Sequence, residues 1–157
     1  MSQNVKNYLE NLNIKYIVHI HPAVYTCEEA DKHYDQIKGI HSKNLFIKNR
    51  KSKKFWLIIL PFDKKFDFKE FEKRLNDRLK FANINNLKEI LELEPGSVSP
   101  FGLINDKENI TKLLIDKEVW DSDWVSFHPN INTETLELKG EDFRKFAENC
   151  GNLFEIF

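Results

Sequence analysis

Three segments carry polar side chains, two of them together with Gly or Pro, in a way typical of sites that handle a carbonyl group or a phosphate. In HSKNLFIK, Lys43 stands just before an apolar run, where a pocket rim could hold its ammonium. In GSVSPFGL, Gly96 lacks a Cβ, so nearby backbone amides could approach a substrate carbonyl and donate to a developing oxyanion. In FHPNINTET, the imidazole of His128 could accept or relay a proton near neutral pH.

Each of these residues also has a purely structural explanation. A lysine before a strand is most often solvated, a loop glycine often serves a tight turn, and a single histidine is often just a polar surface group. Asn44 adds a donor and an acceptor beside Lys43. Side chains alternate along a strand, however, so Lys43 and Asn44 should point to opposite faces unless the backbone bulges.

The usual signatures of zinc proteolysis, α/β-hydrolase chemistry and nucleotide binding are missing from the sequence. It contains no HExxH, GxSxG, P-loop or dinucleotide glycine pattern. Four histidines lack the spacing of a zinc site: His19, His21, His33 and His41. Cys27 and Cys150 are far apart and outside any CxxC pair, so we expect free thiols, no metal and no cofactor.

The three segments, together with HPAVYTCEEA from His21, resemble the prolyl-tRNA editing deacylases of the YbaK/ProX-like family. The resemblance covers nearly the whole chain, and its matches are typical of the free-standing, alanine-directed ProX/PrdX branch. It implies hydrolysis of the ester that joins alanine to tRNA for proline, with aminoacyl-tRNA as the substrate and prolyl-tRNA synthetase as a candidate partner. Two other functions stay open: deacylation of another amino acid, such as cysteine or serine, and noncatalytic tRNA binding.

The resemblance also implies roles for individual residues. Lys43, Gly96 and His128 would be catalytic, with water as the attacking group and no covalent enzyme nucleophile. Thr26 also fits a helix N-cap, three residues before Glu29. The expected substrate-binding residues are Tyr25, Thr26, Cys27, Asn44, Ser97, Val98, Ser99, Pro129 and Asn132.

A basic cluster follows Lys43 in a chain whose net charge is only -1. Because there is no global basic signature, any contact with RNA must come from such a local patch. A lysine-rich hairpin tip that only keeps the protein soluble is an equally good explanation. The residues expected to contact tRNA phosphates are Lys48, Arg50, Lys51, Lys53 and Lys54.

The periodicity of apolar residues indicates which elements position these segments. We predict helices through Val5–Leu12, from Thr26 to Gly39, from Asp67 through Leu79, over Leu87–Leu93, and around Phe143–Ala147 up to Gly151. We predict strands at Tyr16–Ile20, Leu45–Ile47, Phe55–Leu60, Ile110–Ile115, Trp124–Phe127 and Thr135–Leu138, and an irregular loop over Pro95–Gly102.

This order of elements lacks regular βαβ spacing and so favours an α+β fold. We expect a single compact domain over residues 1–157, with a mixed, curled or barrel-like sheet surrounded by helices, as the family resemblance also implies. The longest strongly apolar run, Phe55–Leu60, is far shorter than a membrane span, and no signal-peptide pattern precedes it. We therefore expect a cytoplasmic protein.

Overall fold

The computed structural model describes residues 2–23, 37, 39–51 and 53–157, which form two sheets and several helices. The strands are β1 (Ile17–Ile20), β2 (Ser42–Asn49), β3 (Phe55–Pro61), β4 (Leu79–Phe81), β5 (Thr111–Ile115), β6 (Trp124–Phe127), β7 (Glu134–Lys139) and β8 (Phe154–Ile156). The α-helices are α1 (Ser2–Asn11), α2 (Phe68–Leu75), α3 (Ile84–Asn86), α4 (Lys117–Trp120) and α5 (Gly140–Asn149). A π-helical turn (Leu87–Leu91) and a 3₁₀ helix (Pro100–Asn105) complete the list.

The larger sheet is mixed, as predicted. Its order is β4-β2-β3-β5-β8, and β2 pairs antiparallel with both β3 and β4, whereas β3–β5 and β5–β8 are parallel. The smaller sheet, β1-β7-β6, is antiparallel, and a parallel bridge from Ile40 to Val125 links it to the chain entering β2. The α+β prediction is therefore confirmed, and the described strands form two sheets rather than one closed barrel.

Strand β3 is buried on both faces, which explains its unbroken apolar sequence. Phe55, Leu57 and Ile59 belong to the main core between the two sheets. The alternate residues Trp56, Ile58 and Leu60 face a second core under α2. Because successive strand residues point to opposite faces, one strand supplies both cores and fixes the sheet that carries the candidate site.

The main core is completed by elements outside the larger sheet. Helix α1 buries Val5 and Leu9, as their spacing predicts. Helix α5 buries Phe143 and Phe146, and Phe146 meets Phe101 of the 3₁₀ helix with the ring centroids 5.1 Å apart. The segment that follows Gly96 is therefore anchored in the core at Phe101.

Several predicted boundaries are wrong. Helix α2 begins after the predicted cap, Asp67, but ends at Leu75, because Asn76 adopts a left-handed conformation with φ 52°. Leu79 therefore lies in β4 and not on the helix. Part of the predicted irregular loop forms the 3₁₀ helix, since Pro100 fits its first turn and the Ser99 side chain caps it.

Other elements were missed or lie outside the described part of the chain. The four short elements β4, β8, α3 and α4 were not predicted. The helix predicted from Thr26 to Gly39 falls almost entirely on residues that the structure does not describe. None of the helices in the described ranges has the length and apolar character needed to cross a membrane.

Candidate active site

Gly96 lies at the centre of a tight turn. The Ser97 amide donates to the Glu94 carbonyl at 3.1 Å, and Gly96 has φ 89°. A proline followed by a residue with positive φ is the pattern of a type II turn, which glycine adopts without a steric penalty. Among the described residues, the amides of Gly96 and Val98 have no hydrogen-bond acceptor, and both residues line a cavity.

Ser97 and Ser99 are buried, and the side chain of Ser99 has a structural task. Its Oγ accepts from the Phe101 amide at 3.2 Å and so caps the 3₁₀ helix. Of the expected substrate-binding residues in this segment, Val98 lines a cavity, whereas the Ser99 hydroxyl is already engaged. Gly96 and Val98 are therefore the residues of this segment that line the cavity.

Asn44 joins the Gly96 turn to β2. Its Nδ2 donates to the Val98 carbonyl at 3.3 Å, while its Oδ1 is buried without a hydrogen-bond partner. Asn44, Gly96 and Val98 lie together in the wall of a cavity of about 270 Å³. The segments KNLFI and GSVSPFGL, which are far apart in the sequence, therefore meet at one site.

Lys43 does not share this wall. It lies within β2 rather than before the strand, and it pairs with Leu60 in an unbroken register in which Asn44 pairs with Ile59. With no bulge in that register, the Lys43 and Asn44 side chains leave β2 on opposite faces. Lys43 is partly buried, and no carboxylate in the described part of the chain forms an ion pair with it.

His128 follows β6, and its ring has a defined orientation. Its Nδ1 lies 2.8 Å from the Glu134 carbonyl oxygen, which can only accept, so Nδ1 carries the proton. Burial lowers the pKa of His128, and nearby His21 lowers it further, against a smaller opposing effect of the Glu134 hydrogen bond. The ring is therefore neutral near pH 7, with the lone pair on Nε2.

His21 is a neighbour of His128 that the sequence analysis did not assign to the site. The two ring centroids are 5.9 Å apart. His21 is buried, and its Nε2 lies 2.7 Å from the Thr135 Oγ1. Thr135 lies in β7 and pairs with His19 of β1. The only signal for His21 was its position as the first residue of HPAVYTCEEA.

The loop after His128 is held by the same segment that carries Gly96. The Asn130 Nδ2 donates to the Phe101 carbonyl at 3.4 Å, and Pro129 is buried beside it. Asn132 is partly buried and also has an interaction partner. FHPNINTET and GSVSPFGL are thus brought together, while Tyr25, Thr26 and Cys27 lie outside the described residues.

The exposed basic loop differs from the prediction in two residues, Lys48 and Arg78. Lys48 does not belong to it: the side chain is buried, and its Nζ donates to Asn86 Oδ1 at 2.6 Å. The four exposed members are Arg50, Lys51, Lys53 and Lys54. The Arg50 amide donates to the Arg78 carbonyl at 2.8 Å, which adds exposed Arg78 to the patch.

The described residues show no group of three or more His, Cys, Asp or Glu side chains placed to hold a metal. Cys150 is a free thiol, and burial raises its pKa above the usual value. Near neutral pH, Cys150 is therefore protonated and a poor nucleophile.

We expect the stability of the protein to depend on pH through His128. Because its folded-state pKa is below the unfolded value of about 6.5, the unfolded chain binds the proton more readily. This contribution to the free energy of unfolding is present above pH ~6.5 and is lost as the pH falls from there through the folded pKa. Urea denaturation at pH 7.5 and 5.5 should show a smaller loss for His128→Gln than for the wild type. Equal losses in the two proteins would contradict the assignment.

Comparisons of the sequence with known proteins identify the family of the chain. A sequence model of the aminoacyl-tRNA editing domain matches residues 21–146. The prolyl-tRNA editing protein ProX of Acetoanaerobium sticklandii is 34% identical over 148 residues, covering 94% of this chain and 90% of that protein. The prolyl-tRNA synthetase associated domain-containing protein 1 of Xenopus laevis is 31% identical over 157 residues, covering 97% and 93%.

Solved structures share the fold. A crystal structure of the hypothetical protein APE2540 has a TM-score of 0.75 at 16% identity, covering 96% of this chain and 95% of that chain. A structure described as a candidate trans-editing enzyme for prolyl-tRNA synthetase has a TM-score of 0.73 at 16% identity, covering 99% and 94%. The chain therefore belongs to the family of aminoacyl-tRNA editing domains and is an aminoacyl-tRNA deacylase.

Proposed function

We propose that the chain hydrolyses the ester between alanine and the terminal ribose of tRNA for proline. The observation that carries the proposal is the hydrogen bond from Asn44 to the Val98 carbonyl, which builds one cavity wall from KNLFI and GSVSPFGL. Both segments resemble the alanine-directed branch of the family. The relative named as a prolyl-tRNA editing protein supports the choice of tRNA.

In this reaction a water oxygen adds to the ester carbonyl carbon, and the tetrahedral intermediate then expels the ribose hydroxyl. The products are free alanine and uncharged tRNA. The open amides of Gly96 and Val98 would donate to the negative oxygen of the intermediate, where hydrogen bonds gain strength as charge develops. The proton lost by the water would pass through the neutral Nε2 of His128, or through a substrate hydroxyl, to the leaving ribose oxygen.

Lys43 would act on a different part of the substrate. Its side chain leaves β2 on the face opposite Asn44, so we assign its ammonium to the phosphate of the terminal nucleotide rather than to the ester carbonyl. A cation that binds this phosphate would fix the ester relative to the amides of the Gly96 turn. Positioning of this kind can account for a large part of a rate enhancement.

The test of the proposal is selectivity between two esters of the same tRNA. Ala-tRNA(Pro) and Pro-tRNA(Pro) would be hydrolysed under single-turnover conditions at equal enzyme concentration. We expect the alanyl ester to react at least about tenfold faster than the prolyl ester. A pocket of the size of alanine excludes the larger proline side chain sterically, whereas a large pocket discriminates only weakly against a smaller side chain. Comparable rates would refute the proposal, since such an enzyme would destroy correctly charged tRNA.

Three further substrates separate the remaining alternatives. Faster hydrolysis of Cys-tRNA(Pro) or Ser-tRNA(Pro) than of Ala-tRNA(Pro) would assign another amino acid to the same chemistry. Binding of every ester without turnover would leave a noncatalytic tRNA-binding module. A matched alanyl ester on a tRNA for another amino acid would show whether the chain itself recognises tRNA for proline.

We also propose prolyl-tRNA synthetase as a partner, on the strength of the relative from Xenopus laevis, whose name describes an associated domain. Sedimentation of the chain with the synthetase, with and without tRNA, would measure the association. Independent sedimentation in both conditions would rule it out at the concentrations used.

The exposed basic loop should contribute to tRNA binding. Changing Lys51, Lys53 and Lys54 together to Ala should raise KM for the aminoacyl-tRNA and weaken the dependence of KM on salt. With fewer contacts to phosphates, tRNA binding releases fewer counterions. The ratio of alanyl to prolyl hydrolysis should not change. The matched control is a triple change of Lys15, Lys107 and Lys139, which are also exposed and lie outside the loop. An unchanged salt slope would leave the loop with a role in solubility alone.

A further inference from the structure

We propose that His21 and His128 form a pair that binds one proton, and that His21 is the member that binds it, which keeps the His128 ring neutral. The inference rests on the proposed function, in which the neutral His128 takes the proton of the attacking water and passes it on. His21 touches no reacting atom in this scheme and acts through His128, so it is a positioning residue of the reaction.

Both histidines stand at the same end of the smaller sheet. His21 follows β1 and His128 follows β6, the two outer strands, and each histidine is followed by a proline. The central strand β7 begins between them, and its first two residues hold the rings. The Glu134 carbonyl accepts from His128, and the Thr135 hydroxyl bonds to His21. The sheet therefore fixes the two rings in place, with their centroids 5.9 Å apart.

The hydrogen bonds of His21 suit both the neutral and the protonated ring. Its Nδ1 lies 2.9 Å from the Pro22 carbonyl oxygen, which only accepts, so Nδ1 carries a proton in both states. Its Nε2 lies 2.7 Å from the Thr135 Oγ1, and a hydroxyl can donate to a neutral nitrogen or accept from a protonated one. His21 can therefore gain a proton without losing either hydrogen bond.

His128 has no equivalent arrangement. Its Nδ1 donates to the Glu134 carbonyl, but its Nε2 has no acceptor among the described residues. Two positive charges at the distance between the rings repel, so a proton on His21 opposes a second one on His128. The pKa of His128 is lowered mainly by burial and also by His21, against the opposing effect of the hydrogen bond to Glu134. The Nε2 lone pair that the reaction needs therefore stays unprotonated.

Two other charged pairs lie near the histidines in the part of the chain that the structure describes. The Glu134 carboxylate pairs with Lys6 of α1 at 2.7 Å. The Nε2 of His19 in β1 lies 3.6 Å from the Glu137 carboxylate in β7. Both pairs are left intact in variants of His21, so a changed titration in these variants reports on His21 itself.

The first experiment is an NMR titration of the full chain, which needs no tRNA. Long-range correlation of ring protons with ring nitrogens reports the protonation of each histidine between about pH 5 and pH 8. His21→Gln keeps an acceptor for the Thr135 hydroxyl, and His21→Phe keeps a flat ring beside His128, but neither variant carries a charge. His41→Gln is the matched control, because His41 precedes β2 in the other sheet and its ring lies against Phe62.

In the wild type, we expect His21 to be the first of the two rings to bind a proton as the pH falls. Both variants of His21 should raise the proton affinity of His128 by at least about threefold. This factor is the effect of one charge at the distance between the rings, even in a medium as polar as water. His41→Gln should leave the titration of His128 unchanged.

The second experiment measures the pH dependence of kcat for Ala-tRNA(Pro). Because His128 accepts a proton only when it is neutral, a higher proton affinity should move the acid limb of the profile to higher pH in both variants of His21. The loss of kcat relative to the wild type should therefore grow as the pH falls. A purely structural role of His21 would instead lower kcat by one factor at every pH, and this result would contradict the inference.

Three results of the titration would overturn the inference. The first is that His128 binds its proton before His21 in the wild type. The second is an unchanged titration of His128 in the His21 variants. The third is a change in only one of two folded variants, because its cause would be a lost hydrogen bond or ring contact and not the missing charge. Failure of the proposed function would appear separately, as comparable hydrolysis of Ala-tRNA(Pro) and Pro-tRNA(Pro) by a wild type that titrates as expected.

Discussion

Replacing Lys43 by Ala should lower kcat/KM for Ala-tRNA(Pro) by at least about 10²-fold, because a positioned cation contributes several kcal/mol at a charged substrate. The fold should survive, since the Lys43 side chain is only partly buried and has no ion pair with the described residues. Single-turnover and steady-state rates, with circular dichroism for the fold, would measure the effect.

Two further variants serve as controls for this experiment. Lys43→Arg keeps the charge on a side chain of different shape and should recover part of the activity. Lys139→Ala removes an exposed lysine far along the chain and should leave the rate unchanged. A Lys43→Ala protein with wild-type rates and a normal spectrum would show that the lysine has no part in the reaction.

Replacing Gly96 by Ala should lower kcat by at least about tenfold, and replacing it by Val should lower it further. A Cβ is strained at φ 89°, so the turn is expected to shift and carry its open amides away from the substrate carbonyl. The loss should appear in kcat more than in KM, because hydrogen bonds to the oxyanion form mainly in the transition state.

Gly151 provides a matched control for the strain alone. It has φ 88° at the end of α5, and its substitution by Ala introduces the same backbone conflict away from the cavity. Both variants should lose thermal stability, but only the Gly96 variant should lose activity. If Gly96→Ala hydrolysed Ala-tRNA(Pro) at the wild-type rate, the turn would have a structural role only.

Local patterns in the sequence were sufficient for much of the fold. The apolar run of β3, the i, i+3, i+4 spacing in α1 and the Asp67 cap of α2 each depend on neighbouring residues, and each was predicted. Strands β4 and β8 have three residues each, and pairing with longer strands stabilises them, so nothing in their own sequences marks them.

The site was predictable only in part, because contacts between residues distant in the sequence leave no local pattern. The resemblance to a known family indicated Lys43, Gly96 and His128, and their roles remain predictions. The burial of Lys48 depends on Asn86, and the place of His21 depends on Thr135, both distant in sequence. A lysine within a run of charges looks solvated until the partner that removes it from solvent is known.

The pairing of β3 also has a consequence for how the protein folds. The pairing of β3 with β2 closes a short hairpin. The pairing of β3 with β5 instead brings together Phe55 and Thr111, which are far apart in the sequence. Closing a long loop costs more entropy, and parallel pairing of distant segments is slow. We therefore expect the hairpin of β2 and β3 to form early and the pairing of β3 with β5 to form later.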